Sequence, residues 1–194
     1  MNLILGINAG HDSAVCLISN GEIVYAIEEE KISRIKQDIG WPELAVERIL
    51  KESNLSPKDI NCISLEDAVP EHLGKYEIVY RFTKNKLFKY FEYFSRIRQF
   101  IFKGNRISTE KNKKTIKQIL RKKGYSNARI DFHDHHLSHA ASAFYTAPFI
   151  SDLTITCDGR GGINSFNFYG ASDGGLELIP VSYTHLTLPT TPYV

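Results

Sequence analysis

Two apolar, β-prone runs, Ser13 to Ile18 and Ile23 to Ile27, flank the dipeptide Asn20-Gly21. Asn and Gly reach positive φ at low cost, and both central residues of a type I′ turn need it. The pair therefore predicts a tight β-hairpin. A third apolar run, Leu3 to Asn8, lies just upstream, so the chain is expected to open as a three-stranded antiparallel meander.

The remaining pattern alternates between the two periods. A helix is predicted from Pro42 to Glu52, with proline in its first turn and Ala45, Ile49 and Leu50 as an apolar stripe. Ile60 to Leu65 reads as a buried strand. Helical stretches follow within 84–103 and 109–123, the second starting at a possible cap, Ser108 or Thr109, and closed by Gly124. Arg129 to Phe132 is a short strand, and His135 to Tyr145 an alanine-rich helix that Asp134 can cap. Leu153 to Cys157 is expected to be a buried strand. It leads into Asp158-Gly159-Arg160-Gly161-Gly162. A second hairpin, Ser165 to Tyr169 and Leu176 to Ile179, turns around Ser172-Asp173-Gly174-Gly175. Strands, then helices, then strands indicate a mixed α/β sheet with an antiparallel opening. The 194 residues suffice for one domain with a core, or two very small ones. Residues 181–194, rich in Thr and Pro without a period, read as a non-native tail on a core of residues 1–180.

Charge is unevenly distributed. Between Arg81 and Lys123 there are 15 Lys or Arg against Glu92 and Glu110, leaving nine basic and twenty acidic residues elsewhere. Such a segment can attract nucleic acid, anionic lipid or a phosphorylated partner. Its aromatics, Phe82, Phe88, Tyr90, Phe91, Tyr93 and Phe94 among them, favour a helical insertion over 81–123 that packs by its rings and stays soluble by its lysines. An RNA-binding module is thus the alternative reading, and nucleic acid is not the expected partner. No apolar run approaches the roughly 20 residues of a bilayer span. Cys16, Cys62 and Cys157 are odd in number and lack CxxC spacing, which fits reduced, buried thiols and a cytoplasmic chain.

Three groups of residues can carry chemistry. In His135-His136-Leu137-Ser138-His139, the first and last imidazoles are four apart and share a helix face. With Asp158, at the end of a strand, they make two histidines and a carboxylate, a ligand set suited to a first-row transition metal with open positions. Core packing is the competing reading of the pair. His133 and His136 are off that face. Gly6-Ile7-Asn8-Ala9-Gly10-His11-Asp12-Ser13-Ala14 could cradle a phosphate on its backbone, while His11 and Asp12 orient or deprotonate an acceptor hydroxyl. An ordinary tight turn is its bland counterpart. The glycine cluster with Gly159 and Gly161 is a second possible phosphate loop. Glu28-Glu29-Glu30-Lys31-Ile32-Ser33-Arg34-Ile35-Lys36 reads mainly as a solvated face, although Arg34 and Lys36 could bind an anion.

Taken in order, GINAGHDSAV, EEEKISRIKQD, HHLSHAASAFYTAPF and TCDGRGG resemble the N-terminal domain of the carbamoyltransferases that modify antibiotics and nodulation factors. That domain is similar to the tRNA threonylcarbamoyl transferase. The resemblance implies an actin-like, ribonuclease H-like α/β fold, here its first half, whose hairpin loops grip ATP or carbamoyl-adenylate. It also implies Fe2+ or another divalent metal, with His135, His139 and Asp158 as ligands. His11 and Asp12 fall at the loop associated with carbamoyl-adenylate and acceptor, beside Gly10, Ser13, Arg34 and Lys36. In that family a YrdC-like domain makes carbamoyl-adenylate from carbamoyl phosphate and ATP, and the carbamoyl group then passes to a hydroxyl of a small molecule. Gln37 and Gly162 depart from the histidine and glutamate common there. The expectation is an O-carbamoyltransferase represented by a piece that is inactive alone, with a tRNA threonylcarbamoyl transferase-like protein as the near alternative.

Overall fold

The computed structural model describes residues 2–10, 12–66, 75–84, 109–158 and 165–180. His11, Gly159, Gly161, nearly all of the helix expected within 84–103 and the tail 181–194 lie outside them. The chain divides into two compact units, Met1–Asp134 and His135–Val194.

In the first unit, β1 (Leu3–Asn8), β2 (Ala14–Ser19) and β3 (Glu22–Glu28) form the expected meander. Asn20 and Gly21 have φ of 50° and 92°, both in the left-handed region that the turn demands. β1 also pairs in parallel with β4 (Cys62–Glu66), and β4 with β5 (Arg129–His133). The order β3-β2-β1-β4-β5 is thus antiparallel on one side and parallel on the other. The fold of this unit is α/β, a mixed sheet with the expected antiparallel opening.

Period-2 alternation puts the core on one face of this sheet. Leu5 pairs with Leu17 and Ile63, Ile7 with Val15 and Leu65, and Ile63 with Ile130. All seven are buried. After the short helix α1 (Glu30–Ser33), α2 (Glu43–Glu52) packs Ala45, Val46, Ile49 and Leu50 into the same cluster. A helix α3 (Lys75–Thr83) adds Ile78 and Phe82, and α4 (Thr109–Lys122) adds Ile116 and Leu120. Trp41, 1% exposed, lies at 6.2 Å from the ring of Phe82 and 5.9 Å from that of Tyr125. The start of the basic segment is therefore core. The sequence pattern did not indicate α3. It precedes the helix expected from residue 84, and Lys84, at φ 51°, stands in the left-handed conformation just past its end. Gly124, at φ 102°, closes α4 as expected.

The second unit begins with α5 (His135–Thr146). A separate antiparallel sheet follows, β6 (Leu153–Cys157), β7 (Phe166–Ser172) and β8 (Gly175–Ile179), in the order β6-β7-β8. The strands therefore do not all join one sheet. β6 is also not a buried strand: Thr154 and Thr156 are covered, whereas Leu153, Ile155 and Cys157 are exposed. Alternation alone explains this, since only one face of β6 meets α5. Cys157 thereby departs from the expectation of buried thiols, while burial pushes the thiols of Cys16 and Cys62 up.

Candidate metal centre

On α5, a separation of four residues brings His135 and His139 onto one face. Their rings stand at 85° with centroids 4.5 Å apart, and the two Nε2 atoms are 3.2 Å from each other. Asp158 follows β6 directly, and its backbone N–H donates to the Ser165 carbonyl at 2.9 Å. Its Oδ2 lies 2.5 Å from His135 Nε2 and 3.6 Å from His139 Nε2. One ligand atom from each residue thus lies within 4.8 Å of the other two. The three are neither buried nor fully open: their side chains are 19%, 57% and 34% exposed in chain order.

This donor set fits a metal. Nitrogen and oxygen ligands sit about 2.0–2.2 Å from a first-row ion, which puts neighbouring donors roughly 3 Å apart. The two Nε2 atoms meet that spacing. Two nitrogens and a carboxylate from one side leave coordination positions open on the other, the pattern of catalytic rather than structural sites. Without an ion, a proton on an imidazole can bridge to the carboxylate. The same residues therefore also form an ordinary His–Asp pair.

His136 points elsewhere. It is 1% exposed, and its Nδ1 lies 2.8 Å from Thr156 Oγ1. It is off the ligand face, as its spacing predicts. Its tie to β6 has no signal in the sequence, because no local pattern pairs a helix residue with a threonine twenty positions on.

The other candidates lie in the first unit, at the end of β1. Asn8 Oδ1 accepts from the Gly10 N–H at 2.8 Å, and Asn8 Nδ2 donates to the Asp12 carbonyl at 3.3 Å. Asp12 itself stands at φ 55°. Ser13 is 1% exposed, donates its N–H to the Asp38 carbonyl at 3.0 Å, and has a buried Oγ with no hydrogen-bond partner among the described residues. Gly40 N–H reaches the Gly10 carbonyl at 3.3 Å, so the segment after α1 folds across this turn. Two amides expected to cradle a phosphate, those of Gly10 and Ser13, are thus engaged within the protein.

Arg34 is exposed at φ 61°. Lys36 Nζ lies 3.2 Å from Glu30 Oε1, which Lys31 shares, while Glu30 Oε2 accepts from the Gln37 N–H at 3.1 Å. The Gln37 amide and the two ammonium groups hold the Glu30 carboxyl down at about 2. The acidic run is not wholly a solvated face. Glu29 is 2% exposed, and its two oxygens accept from Leu44 and Ala45 N–H at 3.1 and 2.8 Å. It caps α2 from fifteen residues away. The signal was negative: Trp41-Pro42 offers α2 no capping side chain, so its first amides need a remote acceptor.

Residues 3–187 match the family model described as "Carbamoyltransferase N-terminus". The protein is 32% identical over 169 residues to "Uncharacterized protein sll1178" of Synechocystis sp., covering 83% of this chain and 26% of that one. It is 26% identical over 155 residues to "Nodulation protein NolNO" of Sinorhizobium fredii, covering 78% of this chain and 20% of the relative. The chain thus spans about a quarter of the length of the curated relatives it matches. Among solved structures, YeaZ from Pseudomonas aeruginosa aligns at TM-score 0.46 and 10% identity, over 93% of this chain and 65% of that one.

Proposed function

The chain belongs to the carbamoyltransferase N-terminus family, and from that premise we propose that it supplies the metal ligands and part of the acceptor site of an O-carbamoyltransferase. The observation that carries this reading is the convergence of His135, His139 and Asp158 within the matched residues. The donor set fits Fe2+ or another divalent ion, which when bound would supply positive charge to orient and neutralise the anionic donor.

The chain's own residues have separate tasks in this reading. His135 and His139 present neutral imidazole nitrogens, and Asp158 adds one negative charge. Gly10, His11, Asp12 and Ser13 are assigned to the donor and acceptor, and Arg34 and Lys36 to an anion. His11 or Asp12 takes the proton of the acceptor hydroxyl as its oxygen attacks the carbamoyl carbon. One C–O bond forms to the acceptor, the bond to the phosphate oxygen breaks, and AMP leaves with the electron pair. Gly159 and Gly161 are assigned to nucleotide binding. A YrdC-like domain would make carbamoyl-adenylate from carbamoyl phosphate and ATP, and the acceptor is a small-molecule hydroxyl. Among the described residues no helix is long and apolar enough to cross a membrane, which accords with a cytoplasmic enzyme.

The test uses the protein at the length of its relatives, with a YrdC-like domain. Carbamoyl transfer to a hydroxyl acceptor should fall by more than about 100-fold in His139→Ala, and the 194-residue chain alone should show none. Full transfer by that variant, or measurable transfer by the isolated chain, would overturn the assignment.

A further inference from the structure

We propose that His136 and Thr156 are the positioning pair of the candidate metal centre: their hydrogen bond sets how α5 is rotated on β6 and so holds His135 and His139 opposite Asp158. The inference rests on the metal reading above and concerns residues that would not touch the ion.

The geometry follows from chain position. His136 adjoins the first imidazole ligand, about 100° further round the helix. Thr156 precedes the carboxylate ligand by two residues, on the same side of an extended chain. The bond between them, 2.8 Å from His136 Nδ1 to Thr156 Oγ1, therefore links the two ligand-bearing elements one step from each ligand. Thr156 Oγ1 also lies 3.4 Å from the Asn167 carbonyl, to which it can donate, and Asn167 Nδ2 donates to the Tyr169 hydroxyl at 3.3 Å. With the threonine proton directed at that carbonyl, Oγ1 accepts from Nδ1–H.

The chemistry of this interface is unusual for a helix on a sheet. In the first unit the corresponding layer is Leu, Ile and Val. Here the covered sheet face carries Thr154, Thr156, Asn167 and Tyr169, and the buried residues of α5 are His136 and Ala140. Ala140, 0% exposed, lets the helix approach closely but prescribes no rotation. A hydrogen bond is directional where an apolar contact is not. A metal site needs its ligands held within about 0.5 Å, a tolerance that sliding apolar surfaces do not secure.

The test is Co2+ binding to the full 194-residue chain, read from the ligand-field absorption and from calorimetry. Thr156→Val keeps the side-chain shape and removes the acceptor; it should weaken Co2+ binding about 10–100-fold. Thr156→Ser restores the hydroxyl, and His136→Asn places an amide N–H near the Nδ1 position; both should stay within about 3-fold of the unaltered chain, a small fraction of an outer-shell loss. His136→Leu should resemble Thr156→Val. If Thr156→Val does not fold, the contrast between His136→Asn and His136→Leu decides. Unchanged Co2+ affinity in Thr156→Val or His136→Leu, with His139→Ala losing the metal, would overturn the positioning role alone. Affinity losses that simply track the thermal midpoint across all four variants would overturn it too. Failure of the unaltered chain to bind Co2+, or equal binding by His139→Ala, would bring down the metal reading and this inference with it.

Discussion

Glu29 and Asp158 are both carboxylates set just beyond the end of a strand, one in each unit, and their surroundings differ in kind. Glu29 is buried, and both its oxygens accept backbone N–H groups from the first turn of α2. Asp158 keeps a third of its side chain exposed and faces two imidazole nitrogens. A carboxylate against a helix N-terminus meets fixed donors that cannot leave, so it serves as architecture. Against titratable side chains it meets partners that can exchange a proton for a metal ion, so it can serve chemistry. Among the described residues of the first unit, the buried charge is Glu29 at this cap, and the core is built largely from apolar contacts. The second places polar groups throughout the surface on which its helix rests.

The same truncation at the two carboxylates should break this symmetry. Glu29→Ala leaves two helix N–H groups without their charged acceptor and should lower unfolding free energy by about 2–4 kcal/mol in urea denaturation. Co2+ binding by the second unit should survive it. Asp158→Ala should do the reverse, abolishing Co2+ retention while changing stability by less than about 1 kcal/mol, since its pairs are partly exposed. Equal stability losses at both sites would contradict the distinction.

Glu30 sharpens the comparison at smaller scale. Its carboxyl is lowered from 4.5 to about 2 by the Gln37 amide and by Lys36 and Lys31. A depressed folded value means that the loop closure it supports is fully present above about pH 4.5. It is lost as pH falls through about 2. The Gln37 amide resonance should follow that low midpoint in an NMR titration, and a midpoint near 4.5 would show that the contact does not persist in solution.

Much of the fold was legible because its determinants are local. Asn20-Gly21 prescribes its turn whatever surrounds it, and the apolar stripe of Ala45, Ile49 and Leu50 marks a helix within three turns. Residues 75–83 escaped because their apolar pair, Ile78 and Phe82, is short and sits beside a stretch dominated by lysines and rings. Of the candidate site, the facing of His135 and His139 could be read from spacing. The engagement of the Gly10 and Ser13 amides could not. It depends on Asn8 folding back and on Asp38 arriving from another segment.

By itself the sequence determined the opening hairpin, the helices α2 and α5 and which two imidazoles share a face, since these depend on torsional preference and period within a few residues. Tertiary structure alone decided that β6 to β8 form their own sheet, that Glu29 caps a helix fifteen residues on, and that His136 meets Thr156. Those pairings join residues distant in the chain, and which of many possible partners meet is settled by the packing of the whole unit rather than by any neighbour.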